Sequence, residues 1–200
     1  MRILGIDPGF GRSGYGLIDV HQGKHTALEY GCVETVAHTP TGVRLREIYE
    51  KMTELIHSYQ PDVVAIEQLF FNRNVTTAFT AAEARGVVVL AAQLADVEQV
   101  EYTPMQVKQA VVGYGRADKR QVQEMVRILL GLRAIPKPDD AADALAVALT
   151  HAQQAAFSMQ AQRIVAQEEK LGYTKARAPS AASVWAAEAK RHVKKGRVDS

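Results

Sequence analysis

Residues 3–6, Ile3-Leu4-Gly5-Ile6, and residues 63–66, Val63-Val64-Ala65-Ile66, are uninterrupted apolar runs, and each leads directly into a carboxylate, Asp7 or Glu67. A strand that is apolar on both faces must be covered on both. These two segments therefore predict the middle of a sheet with helices above and below it. A carboxylate at the end of a buried strand is expensive unless it is paired or neutralised, which makes Asp7 and Glu67 the first candidates for chemistry.

The flanking patterns fill in the layers. Residues 13–20 and 26–36 alternate, with His21-Gln22-Gly23-Lys24 as punctuation, so together with residues 3–7 they predict an antiparallel three-strand meander. Thr41 is placed to cap a helix carrying Val43, Leu45, Ile48, Met52, Leu55, Ile56 and Tyr59 at helical spacing, closed by Gln60-Pro61. Residues 62–67 give the next strand. Residues 76–96 form an Ala-rich helix apolar nearly all round, which calls for cover on more than one side and predicts a second subunit against it. Residues 97–102 supply a fifth strand. Thr103-Pro104 opens a short helix to residue 112, a further helix spans 119–130, and a last one runs from 141 to about 155. The fold class expected is α/β: a mixed five-stranded sheet, three antiparallel strands followed by parallel ones, with helices on both faces.

Two hundred residues suit one core. Residues 1–154 carry a net charge of −3 and residues 155–200 a net charge of +5. The expected organisation is a catalytic domain over 1–154 and a basic, largely disordered tail over 155–200, with a short basic helix around Trp185 at most. An acidic body does not coat DNA, so nucleic-acid binding there must use local basic patches or masked carboxylates. Cys32 is a lone cysteine, which excludes an intrachain disulfide and any CxxC redox or zinc motif. It is expected to be a small buried strand residue. His21 and His25 are four apart, but Gly23 between them argues against a metal-binding helix. No GxxxxGK[ST] phosphate loop occurs. The first apolar stretch is too short for a signal peptide and the longest, 86–95, is interrupted by Gln93, so an intracellular, cytoplasmic protein without a membrane span is expected.

Carboxyl ends of strands in such sheets are where ligands collect. Asp140 and Asp143, spaced i,i+3, share one face of the last helix, and spacing alone does not choose between Asp139 and Asp140. Carboxylates about 4 Å apart repel by roughly 4 kcal/mol at an effective dielectric near 20. A convergence of Asp7, Glu67, Asp140 and Asp143 therefore requires protons or cations. An all-oxygen set favours Mg²⁺ or Mn²⁺, and two such ions suit in-line hydrolysis of a phosphodiester.

Ile3-Leu4-Gly5-Ile6-Asp7-Pro8-Gly9 with Gly14-Tyr15-Gly16, Ala65-Ile66-Glu67-Gln68 with Phe70, Gln106-Val107-Lys108-Gln109 and Asp140-Ala141-Ala142-Asp143-Ala144-Leu145-Ala146 resemble the RuvC family of Holliday-junction resolvases over roughly residues 1–154. The resemblance implies an RNase H-like fold and a magnesium-dependent crossover junction endodeoxyribonuclease, manganese being an alternative, with two ions per active site. It implies a homodimer that resolves four-way junctions by paired symmetric nicks, leaving 5′-phosphate and 3′-hydroxyl ends, in homologous recombination and DNA repair. RuvA and RuvB branch-migration proteins are the implied partners. Position by position it implies that Asp7, Glu67, Asp140 and Asp143 are catalytic metal ligands, Asp140 being the one replaced by His in some relatives. It implies that Lys108 and Lys119 contact DNA or assist at the phosphate, Lys119 as a catalytic residue, and that Phe70 probes the junction. Phe71, next to it, is a second candidate for stacking, and Arg73, Arg116 and Arg120 occupy loop or helix-start positions suited to holding phosphates.

Two competing readings share these features: an RNase H-like nuclease acting on RNA–DNA hybrids, and a junction-binding module without catalysis. An actin-like ATP-binding fold begins with a similar strand and turn, but the short chain and the late Asp140-Ala141-Ala142-Asp143 helix argue against it.

Overall fold

The computed structural model describes residues 1–69 and 75–170. Met1–Phe157 form one compact unit and Ser158–Ser200 belong to a second. Strands β1 (Arg2–Asp7), β2 (Arg12–His21), β3 (Lys24–Glu34), β4 (Val63–Glu67) and β5 (Glu98–Tyr102) make a single sheet of order β3-β2-β1-β4-β5. β1, β2 and β3 pair antiparallel, while β4 pairs parallel with both β1 and β5. The mixed five-stranded sheet read from the sequence is thus the one observed. The β2–β3 hairpin turns on Gln22 and Gly23, whose φ angles of 51° and 80° belong to the primed turns that match strand twist.

Side chains of β1 alternate between two cores. Leu4 and Ile6 face α1 (Thr41–Tyr59) and α2 (Val75–Leu94), packing with Ile48, Met52 and Val88. Ile3 faces the other layer, α3 (Pro104–Val112), α4 (Lys119–Leu129) and α5 (Asp139–Lys170), with Val107, Val126, Leu145 and Leu149. Both faces of β1 are buried, as its uninterrupted apolar run requires.

Two glycines let the backbone of α5 lie directly on the sheet. A methyl group at Gly5 would run into the carbonyl of Ala144 and lie 2.7 Å from the amide nitrogen of Ala148, and one at Gly14 would run into the carbonyl of Asp140. The first turn of α5 is therefore pressed onto β2 and its next turns onto β1, and this contact positions its acids.

Several boundaries differ from expectation. Thr41 is the first residue of α1 rather than its cap; Pro40 holds the cap position and no side-chain cap bond forms. α2 ends at Leu94 because Asp96 takes a positive φ of 54°. α5 does not stop near residue 155 but continues helical to Lys170, since nothing between 156 and 170 is proline or glycine. Residues 158–167 of that stretch are exposed. Cys32 is only partly buried, its thiol pushed up to about 11 by burial and by Asp140. No described helix is long and apolar enough to cross a membrane.

Candidate active site

Parallel pairing of β1 with β4 sets Ile6 opposite Ile66, so the next residue of each strand, Asp7 and Glu67, emerges at the same end of the sheet. The N-terminal turns of α5, laid over β2 and β1, bring Asp140 and Asp143 to them. The four carboxyls act on one another. Asp7 is pushed up to about 6, first by burial and then by the charges of Asp143 and Asp140. Glu67 is pushed up to about 8 by burial and then by Asp7 and Asp143. The pair is coupled, and Glu67, raised further than Asp7, is the one that keeps its proton longer as pH rises. Burial also raises Asp143, against the opposing pull of Lys119.

Lys119 owes its place to a reciprocal cap. Asp118 accepts from the Gln121 amide at 2.9 Å while the Gln121 side chain accepts from the Asp118 amide at 2.9 Å, fixing Lys119 as the first residue of α4. Its Nζ lies 2.9 Å from Asp143 Oδ2 and 3.9 Å from Asp139 Oδ2. Burial disfavours the ammonium, but its bond to Asp143 prevails and holds its pKa above the ordinary lysine range. Lys108 borders the same space, a cavity of about 230 Å³ lined by Glu67, Val107, Lys108, Lys119, Val122 and Asp143.

The expected residues do not all gather here. Asp7, Glu67, Asp143 and Lys119 do, Asp140 flanks them and Lys108 stands at the wall. Arg116 and Arg120 are exposed, and Arg120 acts electrostatically on Glu124 within its own helix. Phe70, Phe71 and Arg73 lie outside the described residues.

Sequence reading missed Arg12. From the start of β2 its guanidinium reaches Asp140 Oδ2 at 3.7 Å and Glu34 Oε1 at 2.7 Å. The register opposes Arg12 to Glu34, but the contact with Asp140 depends on α5 packing and carries no local signal. Arg44 was missed too. Its Nε donates to Thr35 Oγ1 at 2.8 Å and its guanidinium stacks 3.9 Å above the Phe10 ring, stapling the turn that follows Asp7 to α1.

Among the described residues, no three His, Cys, Asp or Glu side chains already stand as a metal cage; Lys119, Arg12 and the proton on Glu67 supply the neutralising charge. The donor set nevertheless fits a hard divalent cation, being all carboxylate oxygen, clustered and partly buried, with two members whose ionisation is held back by their neighbours.

A sheet of order β3-β2-β1-β4-β5 with one acid ending each of its two adjacent parallel strands and a further pair entering on a covering helix has the architecture of the RNase H-like nucleases. Residues 3–151 match the family model of the crossover junction endodeoxyribonuclease RuvC. The RuvC of Brevibacillus brevis is 55% identical over 157 residues, covering 78% of this chain and 95% of its own, and that of Heliobacterium modesticaldum is 60% identical over 149 residues, covering 74% and 92%. The solved structure of Thermus thermophilus RuvC in complex with Holliday junction substrate aligns at TM-score 0.76 and 41% identity, covering 79% of this chain and 96% of that one. The yeast mitochondrial resolvase Ydc2, 12% identical at TM-score 0.55, shares the fold. The chain belongs to the RuvC family of crossover junction endodeoxyribonucleases.

Proposed function

We propose that this chain resolves four-way DNA junctions by metal-dependent hydrolysis of phosphodiesters, cutting as a homodimer in the cytoplasm during recombination and repair. The observation that carries the reading is the meeting of Asp7 and Glu67 at the ends of paired strands with Asp143 and Lys119 beside them. Asp7, Glu67, Asp140 and Asp143 would hold Mg²⁺ or Mn²⁺, two ions per site. Such ions, when bound, lower the pKa of a water and neutralise charge on the phosphodiester. Glu67, held up by burial and by Asp7, would have to ionise to serve as a ligand, so metal loading would be coupled to deprotonation. Lys119, at the mouth, offsets charge on the phosphate, and Lys108 on the cavity wall steers the backbone toward it. The products are a 5′-phosphate and a 3′-hydroxyl.

Dimerisation is supported by α2. Phe79 (69% exposed), Leu90 (51%) and Leu94 (64%) share one face of that helix with Gly86 and the exposed Glu83, a largely apolar stripe opposite the side packed on α1. Two copies joined by a twofold axis match a substrate of the same symmetry. Residues 1–154 form the nuclease domain in this reading, RuvA and RuvB branch-migration proteins are partners, and the basic segment after 170 adds salt-screened attraction for DNA.

The test is a comparison of a synthetic four-way junction, linear duplex and RNA–DNA hybrid at equal concentration in Mg²⁺. Paired nicks confined to the junction support the proposal. Preferred cutting of hybrid would make the chain an RNase H-like nuclease of another specificity, and binding without nicking would make it a recognition module.

A further inference from the structure

If the four acids hold a divalent cation, Lys119 obstructs it. Its ammonium sits on Asp143 Oδ2 at 2.9 Å, a carboxylate the ion needs, so loading must break that pair. A second carboxylate waits about 1 Å further off, Asp139 Oδ2 at 3.9 Å. Asp139 is four positions before Asp143 on α5 and hence on the same side of the helix. It lies outside the buried cluster, and its other oxygen, Oδ1, accepts a bond from Lys137 at 2.7 Å. One oxygen thus anchors the side chain while the other faces Lys119. The opposite flank repeats this arrangement: Arg12 lies 3.7 Å from Asp140 and 2.7 Å from Glu34, again a pocket acid and an outlying one sharing a cation.

We propose, on the functional reading above, that Asp139 is a positioning residue that takes Lys119 from Asp143 when a divalent cation enters, keeping the ammonium at the mouth of the site. A lysine released into water would cost the ion the whole ion pair and then have to be recovered for the phosphate. A lysine handed to Asp139 moves by about the difference between the two distances and stays beside the substrate. Asp139 therefore favours metal binding through Lys119 and without touching the metal.

The experiment is calorimetric titration of Mn²⁺ into the full chain without DNA, for the native protein, Asp139→Asn, Lys119→Met and the double variant, with junction nicking measured alongside. The expected result is that Asp139→Asn weakens Mn²⁺ binding about two- to fivefold, the scale of an exposed ion pair, and Asp139→Glu restores it. Lys119→Met binds Mn²⁺ more tightly than the native chain, and in that background Asp139→Asn has no effect. An equal loss in both backgrounds would mean that Asp139 attracts the ion by its own charge, and no loss in either would mean that it is idle; each overturns the proposal. Should the native chain nick junctions and bind Mn²⁺ while the cycle shows no coupling, the functional reading stands and this inference alone fails. A native chain with neither metal heat nor nicking removes both.

Discussion

Asp7 and Glu67 leave the paired ends of β1 and β4 side by side, and the charge of Asp7 adds to burial in pushing Glu67 up. Two carboxyls in that relationship share one proton, and the cost of removing it is what a cation would repay. The site is thus unstable toward ionisation, and its function and its stability pull in opposite directions.

Stability should therefore depend on pH with a defined sign. Both carboxyls titrate above their ordinary values in the folded chain, Asp7 at about 6 and Glu67 at about 8. Their protonated forms stabilise the fold below pH 4, and that contribution is lost as pH rises through 6 and 8. In chelator, urea denaturation at pH 5, 7 and 8.5 should show the native chain losing about 1–3 kcal/mol relative to Glu67→Gln. Saturating Mg²⁺ should restore most of it to the native chain alone. A difference independent of pH would mean that Glu67 is ionised throughout.

The contact of α5 with the sheet should tolerate no side chain at Gly14. The obstacle to a methyl group is the Asp140 carbonyl, which is backbone and cannot swing aside. Gly14→Ala should cost about 1–3 kcal/mol in denaturation and reduce nicking more than tenfold by displacing Asp140. Gly86→Ala, where nothing lies near the added methyl, should leave folding of the single chain intact.

An acidic residue on the exposed stripe of α2 should separate the subunits. Light scattering should give twice 21.9 kDa for the native chain and 21.9 kDa for Leu90→Glu at micromolar concentration, with circular dichroism unchanged. Single unpaired nicks should then replace paired ones. A native chain of single mass would remove the dimer from the account.

Much of this architecture is written locally. The apolar runs before Asp7 and Glu67 announce buried strands because no other structure covers both faces of so short a segment, and Thr103-Pro104 announces α3 because its cap and its missing donor both suit a helix start. The sharing of Lys119 between Asp143 and Asp139, and of Arg12 between Asp140 and Glu34, is not legible in that way. Those pairs exist only once α4 and α5 have docked, and docking depends on absent side chains at Gly5 and Gly14, whose meaning shows only against the helix that fills the space. The full length of α5 is not legible from apolar periodicity, which weakens after residue 154 while helix propensity, which does not need a packed face, continues to Lys170. Asp118 with Gln121 three residues on is a capping signature that the sequence does carry.

The most direct measurement is Mg²⁺-dependent nicking of a four-way junction by Asp7→Asn beside the native chain, with junction binding measured in chelator. The account predicts nicking reduced at least a thousandfold with binding within threefold of native, because the substitution keeps the shape of Asp7 while removing the charge that a cation requires. Nicking at the native rate by the variant would contradict it.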